Sequence, residues 1–174
     1  LAERSGRPHK GIHTLYISPL KALAVDVTRN MKVPVEEMGL GITMETRTGD
    51  TPSARRQRQR RSPPDILMTT PEQVALLLSH GDSTQLFAVL RFIVLDELHS
   101  LVTSKRGDLL SLGLARLRKL APEAIAIGLS ATVARPSELR AFLRTQNKPD
   151  DLTVLAQLVQ GGKGAAPDLR ILKP

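Results

Sequence analysis

The stretch Ile93-Val94-Leu95-Asp96-Glu97-Leu98-His99 decides how this chain is read. Three aliphatic residues run directly into two adjacent acids, and a histidine follows two places later. Apolar residues at successive positions fill both faces of a strand, the pattern of a parallel strand buried between two layers. Carboxylates at the carboxyl end of such a strand stand where open α/β sheets bind ligands. A nucleotide hydrolase requires that placement: one acid helps to hold Mg²⁺ beside the phosphates, and its neighbour takes a proton from the attacking water. On the two acids alone, a strand ending in a solvated acidic turn fits equally well.

Working outward, a second apolar run, Ile125-Ala126-Ile127-Gly128-Leu129, reads as another buried strand and ends in Ser130-Ala131-Thr132. Residues 14–18, 42–46 and 65–69 complete a set of five strands with 91–96 and 125–130. Helical spacing lies between them. Leu20, Leu23, Ala24, Val27 and Met31 share one face, as do Val74, Leu77 and Leu78. Leu110, Leu114, Leu117 and Ala121 share another, opposite Arg116, Arg118 and Lys119, and Leu139, Phe142 and Leu143 mark a last helix. Strand and helix in alternation predict an α/β fold, a parallel β-sheet flanked by helices. Ser18-Pro19, Thr51-Pro52 and Thr70-Pro71 each place a hydroxyl before a proline, which predicts capped helix starts near strand ends. Thr70 with Gln73 has capping-box spacing. Such starts can bind phosphate oxygens, and they serve equally as plain caps.

These stretches, in this order, resemble the motifs of superfamily 2 helicases. Ser18-Pro19-Leu20-Lys21-Ala22-Leu23 resembles motif Ia, and Thr69-Thr70-Pro71-Glu72-Gln73 resembles motif Ib/Ic, with Thr46–Pro52 between them. Asp96-Glu97-Leu98-His99 resembles motif II, and Ser130-Ala131-Thr132 motif III. The stretches 15–26, 45–52, 62–73 and 96–109 are similar to the large helicase-related (Lhr) family, and within it to the ligase-associated DEXH-box helicases of bacterial DNA repair. The resemblance covers about Leu15 to Arg144.

It implies a RecA-like P-loop NTPase fold that is N-terminally truncated. Residues 1–13 would be a polar remnant, 14–158 a partial first RecA-like domain, 159–168 a linker and 169–174 the start of a second such domain. It also implies ATP and Mg²⁺ as cofactors, with Asp96 on the metal through water and Glu97 and His99 completing the catalytic set. Ser130 and Thr132 would couple the nucleotide site to the strand. Ser18, Pro19, Lys21, Gly49, Thr70 and Pro71 would meet DNA through its phosphate backbone. A second RecA-like domain and a DNA ligase or nuclease are the further partners implied, in a bacterial cytoplasm, with 3′–5′ translocation. No Gly-x-x-x-x-Gly-Lys-Ser/Thr occurs; the nearest stretch, Gly161-Gly162-Lys163-Gly164, lacks the hydroxyl and reads as a linker. Both cofactors need that phosphate cradle, which the family carries upstream of motif Ia, so the 174 residues alone are expected not to turn over ATP.

Composition narrows the partners. A net charge of +8 and a pI near 10.4 favour a polyanion. There is no cysteine, which excludes disulfides and thiolate zinc sites, and His9, His13, His80 and His99 show no paired ligand spacing. No apolar run approaches a membrane span. The aromatics Tyr16, Phe87, Phe92 and Phe142 all fall in apolar patterns, so a base-stacking platform is not expected. Two runs stay open between surface and nucleic-acid contact: Arg55–Arg61, and Ser104-Lys105-Arg106-Gly107-Asp108. An ATPase-deficient nucleic-acid-binding module and an RNA helicase of the same superfamily are the alternative functions.

Overall fold

The computed structural model of the chain describes residues 11–131, 135–143 and 155–161. Five strands, β1 (Thr14–Ile17), β2 (Met44–Arg47), β3 (Ile66–Thr69), β4 (Phe92–Leu95) and β5 (Ile125–Gly128), pair in parallel in the order β2-β3-β1-β4-β5. Among the described residues seven helices connect or follow them: α1 (Lys21–Glu37), α2 (Ser53–Arg61), α3 (Pro71–Ser79), α4 (Ser83–Phe87), α5 (Leu98–Val102), α6 (Lys105–Leu120) and α7 (Pro136–Phe142). All five expected strands are present, with ends displaced by one or two residues.

Alternation along the strands sorts the side chains onto two faces. Leu15, Ile17, Leu67, Ile93 and Leu95 point to the face covered by α3, α5 and α6, where they meet Val74, Leu77, Leu98, Leu101, Leu110, Leu114 and Leu117. This is the main core, and the apolar stripes expected for α3 and α6 are the stripes that build it. On the other face Met44, Ile66 and Met68 pack with Ala24 of α1, and Tyr16 and Val27 join them half-buried. Helix α1 covers only the β1-β2-β3 part of that face.

Strand β5 therefore departs from the buried reading. Ile125 is 58 % and Ile127 39 % exposed, on the face shared with half-buried Phe92 and Val94. Its apolar pattern belongs to a strand with two packed faces, and among the described residues only one face is covered. Residues 11–13 also depart from the expected polar remnant. Ile12 is a core residue, its N–H donates to the Leu86 carbonyl at 2.9 Å, and the His13 N–H donates to Asp65 O at 3.0 Å.

The expected hydroxyl caps are not made. Helix α1 starts at Lys21 with Leu20 before it, α2 starts at Ser53 after Pro52, and α3 starts at Pro71 after Thr70, none with a side-chain cap bond. Proline at the first helical position holds for Pro71 only. The Thr51 hydroxyl instead accepts the Thr48 N–H at 2.9 Å, and the Ser18 hydroxyl lies in the core. The arginine run forms α2 and docks it on β2. Arg55, Arg58 and Gln59 all bond Glu45, Arg60 pairs with Asp82, and Arg56 donates to the Thr48 and Gly49 carbonyls. These are internal bonds, which favours the plain surface-helix reading. Arg118, expected on the open side of α6, is half-buried and donates to the Leu143 carbonyl at 2.6 Å.

Leu114 is 1 % exposed between α6 and α3, whereas Leu112 on the same helix is 72 % exposed. Leu114→Ala is expected to lower the unfolding free energy by about 2–5 kcal/mol through lost burial and a residual cavity. Leu112→Ala should stay within about 0.5 kcal/mol of wild type. Urea titration of the three proteins measures both.

Candidate active site

The chain crosses from the β2-β3-β1 side of the sheet to the β4-β5 side between its central strands β1 and β4. Open sheets take ligands at the carboxyl ends of strands beside such a switch. The acids of the opening heptad stand there. Asp96 continues the ladder one residue past β4, its N–H donating to Ile17 O at 2.9 Å. Its carboxylate turns back to accept the Glu97 N–H at 3.0 Å.

Glu97 has φ 47° and ψ 45°, the only non-glycine residue with positive φ among the described residues. A β-carbon makes that left-handed conformation costly, and such residues cluster where function needs a particular side-chain direction. The turn is held by α5, which starts immediately after it: the Ser100 N–H and hydroxyl both donate to the Glu97 carbonyl at 2.9 Å. The Glu97 side chain stays half-exposed and lines a cleft of about 440 Å³ with Pro19, Leu20, Leu23 and Arg106.

The structure brings His99 and Ser130 together. His99 Nδ1 lies 2.7 Å from the Ser130 hydroxyl and 3.4 Å from Glu97 Oε2. A backbone bond from the Leu98 N–H to Leu129 O, 2.9 Å, ties the same two segments. Thr132 lies outside the described residues. Tyr16, which the sequence placed simply in the core, is also part of the site. Its partner in the ladder is Val94, so its side chain shares a face with Asp96 two residues on. Burial raises the phenol pKa, and so do its hydrogen bond to Asp96 and the negative fields of Asp96 and Glu97. Register arithmetic could have found this pair, had β1 and β4 been known as neighbours.

The six residues expected to meet nucleic acid gather along the same edge, on the loops after β1, β2 and β3. Ser18, Pro19, Thr70 and Pro71 are buried there; Lys21 and Gly49 are exposed. Lys21 Nζ pairs with both Asp50 carboxylate oxygens at 2.9 and 3.0 Å, and a β-carbon on Gly49 would press on that ammonium. The Thr48 hydroxyl accepts the Asp50 N–H at 3.3 Å, which fixes the turn. Arg106 closes the set from the other side. Its guanidinium forks onto the Glu72 carboxylate, with Nη2 to Oε2 at 2.8 Å, and Nη1 donates to the Pro19 carbonyl. Sequence reading left the role of Arg106 open, because a partner 34 residues away leaves no local signal.

An acidic pair just past a central parallel strand, a histidine–serine link to the segment after the next strand and a row of loops on one edge belong to a sheet of RecA-like type. The description DEAD/DEAH box helicase matches residues 1–140, and the chain belongs to that family. Its relatives include the Lhr helicase/probable uracil glycosylase of Mycolicibacterium smegmatis, 43 % identical over 157 residues, or 84 % of this chain and 10 % of the relative. The ATP-dependent helicase Lhr-Core of Methanocaldococcus jannaschii is 42 % identical over 142 residues, 76 % of this chain and 17 % of its own length. The chain thus spans between about a tenth and a fifth of these curated relatives. Among solved structures, the Mycobacterium smegmatis helicase Lhr bound to ssDNA and AMP-PNP superposes with TM-score 0.70 at 43 % identity, over 77 % of this chain and 19 % of that one. The DNA- and AMPPNP-bound helicase MrfA gives 0.66 at 33 % identity, over 76 % of this chain and 19 % of that one. Mss116p, 20 % identical with TM-score 0.71 over 82 % of this chain and 30 % of its own, shares the fold.

The Arg106 guanidinium beside Glu72, rather than its partial burial, holds that carboxyl down to about 2 from the usual 4.5. A depressed carboxylate contributes stability that is present above its unfolded pKa and is lost as pH falls through its folded one. The contribution of this pair should therefore fade between about pH 4.5 and pH 2. Because both side chains are partly exposed, the effect is modest, and salt should reduce it. Melting temperatures of wild type and Glu72→Gln should differ at pH 6 and converge near pH 2.

Proposed function

We propose that this chain is the strand-gripping and acid-bearing part of an ATP-driven DNA helicase motor of the Lhr kind, which steps 3′ to 5′ along one strand during DNA repair. The observation that carries the reading is the Asp96-Glu97 turn, with its left-handed glutamate, on the edge that also presents Lys21, Gly49 and the start of α3. Hydrolysis and grip then share one edge, as coupling requires. The Lhr and MrfA structures, at 43 % and 33 % identity, hold DNA, which favours DNA over RNA for this chain as well.

The residues fit Mg²⁺ and ATP. No three acidic or imidazole side chains converge among the described residues. Mg²⁺ uses one or two carboxylates and completes its shell with water and phosphate oxygens. Asp96 would hold the metal through water, and the metal would neutralise charge on the phosphates. The chain's own work is positional and basic. The Glu97 N–H fixes the Asp96 carboxylate, and the Tyr16 side chain shares its face of the sheet. The left-handed turn aims Glu97 away from the sheet, where it accepts a proton from the attacking water. His99 and Ser130 relay nucleotide state to the strand-binding edge, since a hydroxyl exchanges hydrogen-bond partners at small net cost, about 0.5–1.5 kcal/mol; Thr132 shares that role.

The apolar face of β4 and β5 that no described residue covers supports a further element of this reading. Parallel sheets are covered on both faces. A helix from outside the described residues, with a phosphate-binding loop at its N-terminus, would cover Phe92, Val94, Ile125 and Ile127. It would bring its amide groups beside Asp96. A second RecA-like domain would close on the same edge, and a repair ligase or nuclease would be a partner of the whole enzyme.

In an ATPase-competent form carrying that loop, Glu97→Gln should keep nucleotide binding and lower kcat by about 10²–10⁴, because the amide cannot accept the proton. Near-normal turnover would place the base elsewhere. Strand binding can be measured on the chain itself. If it neutralises about three phosphates of a single strand, log K should fall with log[salt] at a slope near −2. Lys21→Ala should flatten that slope by about 0.7 without creating base preference. Asp50→Asn frees the ammonium and should tighten binding. Anisotropy titrations of oligonucleotides of equal length and different sequence provide the measurement.

A further inference from the structure

Arg106 occupies an electrostatically unfavourable place. It lies in the first turn of α6, where the helix dipole disfavours a cation. It is held there by a tight junction: a β-carbon at Gly107 would overlap the Leu101 carbonyl oxygen, so only glycine lets α6 start this close to α5. The Ser104 N–H and hydroxyl both cap that same carbonyl, at 3.2 and 2.9 Å. The junction projects the guanidinium across the ends of two other segments. The fork on Glu72 grips the first turn of α3, and the bond to the Pro19 carbonyl grips the loop between β1 and α1.

We propose that Arg106 is a positioning residue, which sets the spacing between the β1–α1 loop and the N-terminal turn of α3 and links that spacing to α5, the helix that begins at the Glu97 turn. The inference rests on the nucleic-acid reading of those two segments and extends it to a residue that touches no phosphate. Three of the five guanidinium N–H groups are committed inside the protein, and the bidentate geometry on a carboxylate is the strongest such pairing available to arginine. A phosphate that captured Arg106 would leave the Glu72 carboxylate beside the polyanion. The guanidinium therefore works as an internal tie-bar. Any rotation of α5 that follows a change at Glu97 reaches both strand-binding segments through one rigid plane. Lysine cannot reproduce this, because a single ammonium cannot fork a carboxylate and reach the Pro19 carbonyl in the same geometry.

The test uses the full chain with oligothymidylate, across a salt series, for wild type, Arg106→Ala, Arg106→Lys, Glu72→Gln and the Arg106→Ala/Glu72→Gln double variant, at a temperature well below every melting midpoint. Expected are losses of affinity of about tenfold in Arg106→Ala and in Glu72→Gln, an unchanged salt slope, and a double variant no weaker than Arg106→Ala, as two members of one unit behave. Arg106→Lys should recover little. Tighter binding by Glu72→Gln, or a slope flattened by about 0.7 in Arg106→Ala, would make Arg106 a phosphate ligand and overturn the proposal. Affinities within about twofold of wild type for all variants would reduce the pair to a stability contact and overturn it too. Amide exchange without DNA separates this proposal from the functional reading. Arg106→Ala should speed exchange at Lys21–Ala24 and Gln73–Val74 and leave Leu117–Ala121 unchanged. Unchanged exchange at the first two segments defeats the tie-bar itself, whereas a wild-type chain that binds no strand defeats the functional reading while that exchange signature still stands.

Discussion

The hydrogen bond from the Asp96 N–H to the Ile17 carbonyl is the contact on which the site depends. It extends the β1–β4 ladder by one residue, and so fixes the register in which the acids leave the sheet. Side chains alternate along a strand, so a slip of one residue would turn Asp96 into the face filled by Ile17, Leu95 and Leu98. An unpaired carboxylate there would cost several kcal/mol, more than most single contacts contribute. The central position of β1 and β4 gives the register its rigidity. Both carry fully buried residues on the α3–α6 face, and β1 pairs on its other side with β3. The segment that follows Ile17 carries Ser18 to Lys21, so one ladder sets both the acids and the edge proposed to meet the strand.

Charge is distributed along the same logic. The chain carries +8, yet many of its arginines are engaged internally. Arg55 and Arg58 hold α2 to Glu45, Arg60 holds Asp82 and Arg106 holds Glu72. Arg47 is buried beneath Arg56, and burial first, then the charges of Arg56 and Arg60, lowers its pKa. Lys21 differs from these. Its pair with Asp50 leaves both side chains more than half exposed, and such pairs contribute at most about 1 kcal/mol. A phosphate can displace Asp50 at little cost, while displacing the partner of a forked arginine breaks packing as well. Net charge favours a polyanion partner, and on the proposed reading the looseness of the Lys21–Asp50 pair would make it the point of grip.

What was legible in the sequence follows from how local each signal is. The acids, Ser130 and the helix stripes of α3 and α6 are written in runs of a few residues, and each lies where its run implied. The joining of His99 to Ser130 is less local, since His99 lies on α5, past the end of β4, and meets Ser130 only because β4 neighbours β5. Pairings across the sheet were not legible. Tyr16 faces Asp96 only because β1 neighbours β4, and Arg106 meets Glu72 only because α6 crosses α3; neither adjacency leaves a periodic trace. The hydroxyl-proline pairs misled for a related reason. Serine or threonine before proline is a capping signature, but Ser18 sits at a strand end with Pro19 and an extended Leu20 still between it and α1, and burial claimed the hydroxyl that capping would have used. Ile125 and Ile127 give the converse case: their pattern describes a face that the described residues do not cover.

The Glu97 backbone ties stability to chemistry. A left-handed non-glycine residue costs about 1–3 kcal/mol, and glycine would relieve most of it at the same φ and ψ. The chain instead places a carboxylate there, and three neighbouring arrangements hold it. The Asp96 carboxylate accepts the Glu97 N–H, the Ser100 N–H and hydroxyl occupy the Glu97 carbonyl, and Leu98 is pinned by Leu129 and buried at 2 % exposure. Every one of these contacts lies within one residue of the turn or belongs to the short helix α5. They overdetermine the turn, so the strain persists instead of relaxing. The direction it imposes carries the Glu97 side chain off the end of β4 toward the cleft and toward His99, where an extended backbone would have continued it along the strand. The Glu97 carboxylate is half-exposed there and lies 3.4 Å from the His99 imidazole. The conformational cost at one residue thereby gives two adjacent and chemically similar carboxylates different directions.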